Sequence, residues 1–130
     1  MTIAFIDTSC LVAVAFSEPG HEAVASRLEG LDQVFASTLL EAELRAALRR
    51  EGVDDDDRLL AGLSWVLPDR RLTQEIDAIL DAGPLRGADA WHVACALYLS
   101  PDPRELRFLT LDERQGAVAA ALGFPGLDPD

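Results

Sequence analysis

Four acidic side chains, Asp7, Glu43, Asp89 and Asp112, are the residues of this sequence whose type and placement suggest chemistry. Carboxylate oxygens and water are the ligands that Mg²⁺ and Mn²⁺ prefer in proteins. A cation held in this way can activate water and neutralise the charge of a phosphate group. Because each acid alone also has a structural explanation, the case depends on how the four are placed together.

Two of the acids follow predicted strands. Asp7 comes after an apolar run at residues 3–6, and Asp112 comes after another at residues 108–111. In an open α/β sheet, ligands bind in the crevice beyond the carboxyl ends of the strands, so two such acids can meet there. Aspartate is also a good helix cap, and for either residue alone capping is the stronger interpretation.

The other two acids lie on apolar faces of predicted helices. Glu43 has leucine or alanine three and four residues away on both sides, and Asp89 shares a helical face with Val93. A buried carboxylate is costly unless it is paired, protonated or bound to a metal. The structural alternatives are a buried arginine partner for Glu43, and a cap or an ion pair with Arg86 for Asp89.

Together the four acids predict a strongly negative pocket lined only by oxygen ligands, which suits Mg²⁺ or Mn²⁺. The histidines, His21 and His92, are too few and too scattered for a zinc site. His92 lies three residues after Asp89, so it could line the edge of the pocket. Such a histidine is more often a packing residue whose ring nitrogens are hydrogen-bonded.

The elements that must position these acids alternate short apolar runs with amphipathic helices, a pattern typical of an α/β domain. Thr8 or Ser9 is predicted to cap the first helix, and Ser37 or Thr38 the third. The aspartate run at residues 54–57 is placed at a helix N-terminus, where negative charge is favourable. The predicted strands are 3–6, 34–36, 65–67 and 107–111. The predicted helices are 8–16, 21–28, 38–50, 72–80, 88–99 and 113–122, and a further helix after 54–57 includes Leu59, Leu60 and Leu63. The tail from Pro125 is predicted to be an edge strand or a loose end.

Length and composition narrow the class of protein. A chain of 130 residues, 49% of them hydrophobic, fits one globular domain over residues 1–130. The sequence has no run of about 18 apolar residues, which a membrane span requires, and its N-terminus does not resemble a secretory signal. Cys10 and Cys95 stand singly, outside any CxxC pattern, so we expect buried inert thiols in a reduced, cytoplasmic protein.

Taken by itself, the net charge of −12 argues against a protein that binds nucleic acid by counterion release. Bound divalent metal would offset part of this charge, and the run at residues 54–57 lies apart from the four acids. All eleven basic residues are arginine. Arginine suits bidentate phosphate contacts, but an inventory of arginine alone can equally reflect genome composition.

Four stretches of the sequence, taken in their order and spacing, carry a family resemblance. They are FIDTS at 5–9, STLLEAELRAALRR at 37–50, RGADAWHVACAL at 86–97 and FLTLDER at 108–114. Over nearly its whole length the chain resembles PIN-domain proteins, and among them the VapC-type toxins of bacterial toxin–antitoxin pairs. The resemblance implies a single PIN-like α/β domain, in which a central parallel sheet of four or five short strands is wrapped by about seven helices.

The same resemblance implies a site and an activity. It assigns metal binding and catalysis to Asp7, Glu43, Asp89 and Asp112, with Ser9 and Thr110 supporting them through hydrogen bonds. Its register favours Glu43 over Glu41, in agreement with the helix face. It implies a Mg²⁺-dependent endoribonuclease, with Mn²⁺ as a substitute, acting on structured RNAs such as tRNA or rRNA. The implied partners are a second copy of the chain and a cognate antitoxin, with no membrane.

Other functions remain as alternatives. The same scaffold could serve a nuclease in RNA processing unrelated to toxicity, or a catalytically silent binding module, although the presence of all four acids counts against the latter. A phosphatase using Asp7 as its nucleophile is a rival from another enzyme class. The phosphatase hypothesis requires a second aspartate two residues after Asp7, where this sequence has Ser9. A receiver-like phosphoacceptor leaves Glu43 and Asp89 without a role.

Overall fold

Four short parallel strands form the centre of the molecule in the computed structural model, which describes residues 2–128. The strands are β1 (Ile3–Ile6), β2 (Gln33–Ser37), β3 (Leu63–Val66) and β4 (Arg107–Leu109), and their order across the sheet is β3-β2-β1-β4. Seven helices surround the sheet in this part of the chain: α1 (Thr8–Phe16), α2 (His21–Glu29), α3 (Thr38–Arg50), α4 (Asp56–Leu60), α5 (Thr73–Ala82), α6 (Gly87–Leu99) and α7 (Glu113–Leu122). The predicted fold class is confirmed.

The sheet is buried on both faces, as parallel sheets usually are. Along β1 the side chains alternate, so Phe5 enters one apolar cluster while Ala4 and Ile6 enter the other. The Phe5 cluster packs the sheet against α5, α6 and α7, and the second cluster packs it against α1 to α4. Phe5 stacks on Phe108 of the neighbouring strand, with ring centroids 5.6 Å apart. This packing fixes the register of β1 against β4.

The sheet order decides which side chains can meet. β2, β1 and β4 are adjacent and parallel, so their carboxyl ends lie at one edge of the sheet. Ser37 ends β2, Asp7 follows β1, and Thr110 follows β4. The backbone N–H of Asp7 donates to the carbonyl of Leu109 at 3.1 Å, which extends the strand pairing to the acid itself. The edge therefore brings together the polar side chains that follow three adjacent strands.

Several predicted boundaries and caps are corrected. The N-cap position of α1 is occupied by Asp7 and not by Thr8 or Ser9. The side chain of Asp7 makes no capping hydrogen bond. Ser37 occupies the N-cap position of α3, but its hydroxyl bonds elsewhere. The helix after the aspartate run ends at Leu60, and Leu63 begins β3 instead. β3 covers Leu63–Val66 rather than residues 65–67, and Leu67 is 71% exposed.

The chain after α7 adds no strand in the residues described. Gly123 ends the helix in the left-handed region at φ 110°, a conformation that glycine adopts without strain. The N–H of Phe108 then donates to the carbonyl of Pro125 at 2.8 Å, so the tail covers the outer edge of β4. Of the two predictions for this tail, the strand is wrong up to residue 128. Its last two residues lie outside the described part of the chain.

Two further observations bear on the sequence predictions. Cys10 and Cys95 are fully buried free thiols. Burial raises the pKa of Cys95 to about 12 and also raises the pKa of Cys10, where the nearby charge of Asp7 adds to the effect. Both thiols are thus protonated and inert, as predicted. Across residues 2–128, none of the helices is both long and apolar enough to span a bilayer.

Candidate functional site

Asp7 is the most buried of the four acids and lies at the centre of the sheet edge, 4% exposed. Its two oxygens accept hydrogen bonds from different hydroxyls, Oδ1 from Ser9 at 2.6 Å and Oδ2 from Thr110 at 2.7 Å. Burial raises the pKa of Asp7, while these hydrogen bonds and the proximity of His92 act in the opposite direction. The carboxylate is held in one orientation by two neighbouring elements. Ser9 and Thr110 are thus hydrogen-bonded to Asp7, the kind of contact that the family resemblance implies for them.

Glu43 faces the same edge from the second turn of α3. Its side chain is 38% exposed, so it is less buried than the helix pattern indicated. No arginine pairs with it in the described chain; Oε1 instead accepts from Thr8 Oγ1 at 2.7 Å and contacts His92 Nε2 at 2.8 Å. Glu41 pairs with Arg45 on the outer side of the helix at 2.9 Å, as predicted. The structure therefore directs Glu43, and not Glu41, towards the other acids.

Asp89 lies in the first turn of α6 and is partly exposed. Its carboxylate accepts no hydrogen bond and forms no ion pair among residues 2–128, so neither a cap nor an Arg86 pair accounts for it. Partial burial raises the pKa of Asp89, and the negative charges of Asp112 and Glu43 raise it further. His92 and Arg86 oppose this shift. Asp89 therefore lies within the electrostatic reach of two of the other predicted acids.

Asp112 is exposed and is a helix cap, the structural alternative considered for it. Its Oδ1 accepts from the backbone N–H of Gln115 at 2.8 Å, which satisfies an otherwise unpaired donor of α7. β4 ends at Leu109 rather than at residue 111, so two residues, Thr110 and Leu111, separate the strand from Asp112. Capping uses one oxygen, and Oδ2 accepts no hydrogen bond from residues 2–128. Capping and cation binding are thus compatible for this residue.

Three further polar residues link the acids to one another or to neighbouring elements. The sequence analysis did not assign them to the site. Gln115 is fully buried; its Nε2 donates to the Asp89 carbonyl at 3.0 Å, and its Oε1 lies 3.0 Å from Thr110 Oγ1. His92 is 2% exposed and links Glu43 to Ser37, while Thr8 bonds to Glu43 directly. The position of His92 three residues after Asp89 was a usable signal. Thr8 and Gln115 gave none, because their roles depend on tertiary contacts.

The four acids lie in one region but do not form a finished ligand shell. Within residues 2–128, no three His, Cys, Asp or Glu side chains are arranged so that they could hold a metal ion as they stand. The donor chemistry nevertheless fits a hard divalent cation, because it consists of carboxylate oxygens. Burial and the negative charges of Asp112 and Glu43 raise the pKa of Asp89, and a bound cation would offset these effects.

A groove of about 830 Å³ opens beside these acids, between the start of α6 and the start of α7. Asp89 and Asp112 line it together with Arg86 and Arg114. Neither arginine forms an ion pair with another residue of the described chain, whereas Arg45 is held by Glu41 and Asp56. The groove thus combines the acids with two guanidinium groups that remain available for an anionic ligand.

Comparisons with known proteins agree with this architecture. The model of the PIN domain family matches residues 4–121 of the chain. The chain is 30% identical over 132 aligned residues to Ribonuclease VapC46 of Mycobacterium tuberculosis (strain ATCC 25618 / H37Rv), covering 99% of each protein. The solved structure of VapBC-1 from nontypeable Haemophilus influenzae superposes with a TM-score of 0.67 over 97% of this chain and 98% of that one. At 15% identity, that superposition bears on the fold alone.

Proposed function

The chain belongs to the PIN-domain family, and from that premise we propose that it is an endoribonuclease that cleaves RNA phosphodiester bonds with bound Mg²⁺, which Mn²⁺ can replace. We assign the cation to Asp7, Glu43, Asp89 and Asp112. The observation that carries the proposal is the convergence of these acids at the carboxyl edge of the sheet. Full-length similarity to a protein named as a ribonuclease supports it.

The bound cation would supply an activated water, neutralise phosphate charge and stabilise the leaving oxygen. The chain's own residues prepare the place for it. Ser9 and Thr110 hold both oxygens of Asp7, so this buried carboxylate keeps one orientation. Asp112 is held at the start of α7 by its capping bond. The carboxylate of Asp89 has no hydrogen-bond donor within residues 2–128, which leaves both of its oxygens for a ligand.

The groove beside the acids offers two arginine side chains to the RNA backbone. Arg86 and Arg114 flank Asp89 and Asp112 there, and guanidinium groups bind phosphate oxygens in a bidentate manner. The net charge of −12 opposes general attraction to nucleic acid. The substrate class comes from the family resemblance, which implies particular structured RNAs such as tRNA or rRNA.

We also propose that the protein is the toxin of a toxin–antitoxin pair and acts in the cytoplasm as a homodimer. The full-length similarity to Ribonuclease VapC46 supports the toxin assignment, and the resemblance to VapC-type toxins implies the homodimer and the cytoplasmic location. The antitoxin is expected to carry basic residues towards the acidic edge, because complementary charge speeds and specifies association.

The proposal is tested by incubating the purified protein with total RNA in Mg²⁺ and, in parallel, in EDTA. We expect discrete RNA fragments in Mg²⁺, none in EDTA, and restored cleavage when Mn²⁺ is added in excess. Asp89→Asn should leave the RNA intact under every condition, since it removes one of the proposed ligand charges. Equal fragmentation by wild type and variant, or by wild type in EDTA, would reject the metal-dependent nuclease.

A further inference from the structure

His92 occupies an unusual place for an ionisable residue, in the buried face of α6 between two other elements. Its Nδ1 lies 2.9 Å from the Oγ of Ser37, the last residue of β2. Its Nε2 lies 2.8 Å from Oε1 of Glu43 on α3. One ring thus connects the end of a strand, a helix and a proposed metal ligand. The same geometry determines which nitrogen carries the hydrogen.

The Ser37 hydroxyl is fully buried, and within residues 2–128 its hydrogen-bond partner is Nδ1 of His92. A buried hydroxyl that donates to nothing costs free energy, so Ser37 must donate and Nδ1 must accept. The proton of the ring then lies on Nε2. An ionised carboxylate only accepts hydrogen bonds, so this N–H is directed to Oε1 of Glu43. Ser37 in this way selects the tautomer that can hold the glutamate.

The two oxygens of Glu43 are treated differently as a result. Oε1 accepts from both His92 Nε2 and Thr8 Oγ1, at 2.8 and 2.7 Å. Oε2 accepts no hydrogen bond from residues 2–128. Two donors from different elements fix the plane of the carboxylate, and the second oxygen is left for a ligand. Such outer partners typically contribute 10–100-fold to metal affinity or activity.

We propose that His92, with its hydrogen placed on Nε2 by Ser37, is a positioning residue that holds Oε1 of Glu43 and leaves Oε2 to the cation. The inference rests on the proposed metal centre and assigns to His92 no contact with metal or RNA. If His92 only filled space in the core, the expected result would differ. An apolar side chain of similar size would then preserve metal binding equally well.

The test is a titration of the purified protein with Mn²⁺ in the absence of RNA, in which free Mn²⁺ is followed by electron paramagnetic resonance. His92→Leu keeps an apolar volume but has no donor, and we expect its affinity for Mn²⁺ to fall by roughly 10–100-fold. His92→Gln places an amide N–H close to the position of Nε2, so it should recover most of this loss. His21→Leu, at the more exposed histidine outside the site, is the matched control and should bind as wild type does.

Three outcomes of this titration would overturn the inference. If His92→Leu binds Mn²⁺ as tightly as wild type, the positioning role fails and the metal centre stands. If His92→Gln is no better than His92→Leu although both melt like wild type, the histidine is structural only. If wild type binds no Mn²⁺, the proposed metal centre fails together with this inference.

A measurement on the wild-type protein does not depend on any variant folding. The ¹⁵N chemical shifts of the His92 ring in the metal-free protein are expected to show a protonated Nε2 and a bare Nδ1. A bare Nε2 would overturn the proposal, because the ring could then donate nothing to Glu43.

Discussion

Asp7→Asn is expected to abolish RNA cleavage, with a loss of more than about 100-fold, because even the outer partners of metal ligands typically contribute 10–100-fold. Asparagine matches aspartate in shape, so the substitution removes the charge at the centre of the sheet edge and little else. Expression of wild type without the proposed antitoxin should arrest growth, and expression of Asp7→Asn should not. Single-turnover cleavage and growth curves measure the two effects.

The stability of the same variant separates a functional charge from a structural one. Burial raises the pKa of Asp7, so the charged form is unfavourable in the folded protein before a cation binds. The hydroxyls of Ser9 and Thr110 can rotate to bond with an amide. In EDTA, Asp7→Asn should therefore melt at or above the wild-type temperature.

Asp77→Asn is the matched control for this prediction, because Asp77 is an exposed aspartate on α5 and lies outside the site. It should retain full cleavage and toxicity. An Asp7→Asn protein that cleaves RNA and arrests growth as wild type does would contradict the assignment of Asp7.

A second large effect is expected from Mg²⁺ on thermal stability. A cation that binds only the folded protein stabilises it by about 2.7 kcal/mol at a hundredfold excess over its dissociation constant. Wild type should show this gain between EDTA and millimolar Mg²⁺. Variants at Asp112 should gain clearly less, because they lack one of the four charges. The capping bond of Asp112 makes the choice of substitution important.

Asparagine and aspartate cap helices about equally well, whereas alanine does not cap. In EDTA, Asp112→Asn should therefore be about as stable as wild type, since it keeps the bond to the Gln115 N–H and relieves the repulsion at Asp89. Asp112→Ala should lose about 1 kcal/mol. Both variants should respond weakly to Mg²⁺. A wild type with no Mg²⁺ response, or an Asp112→Asn protein that responds fully, would leave Asp112 as a cap alone.

Much of this fold could be predicted from local patterns. The alternation of apolar runs and amphipathic helices placed all four strands and all seven helices of the described chain close to their observed positions. The boundaries that failed depend on tertiary pairing. β4 ends at Leu109 because the sheet pairing ends there, although residues 110 and 111 have strand-like side chains. β3 is set by its register against β2, in which Ser37 pairs with Val66.

Parts of the site that depend on local sequence could be predicted, whereas parts that depend on tertiary contacts could not. The register of the family resemblance favours Glu43 over Glu41, helical periodicity agrees with it, and so do the observed contacts of the two residues. The chain of contacts through His92 could not be derived in the same way, because it joins residues 37, 43 and 92 across three elements. Asp112 was weighed as a cap from its local sequence, and the structure shows that cap.

The central claim, that these carboxylates form a cation-dependent nuclease centre, is tested most directly by comparing Glu43→Gln with Glu41→Gln in Mg²⁺-dependent RNA cleavage under single-turnover conditions. The two variants carry the same change two residues apart on one helix, and only Glu43 faces the other acids. We predict that Glu43→Gln loses more than about 100-fold in rate while Glu41→Gln, which gives up only an ion pair with Arg45, cleaves like wild type. Equal rates for the two variants would contradict the account.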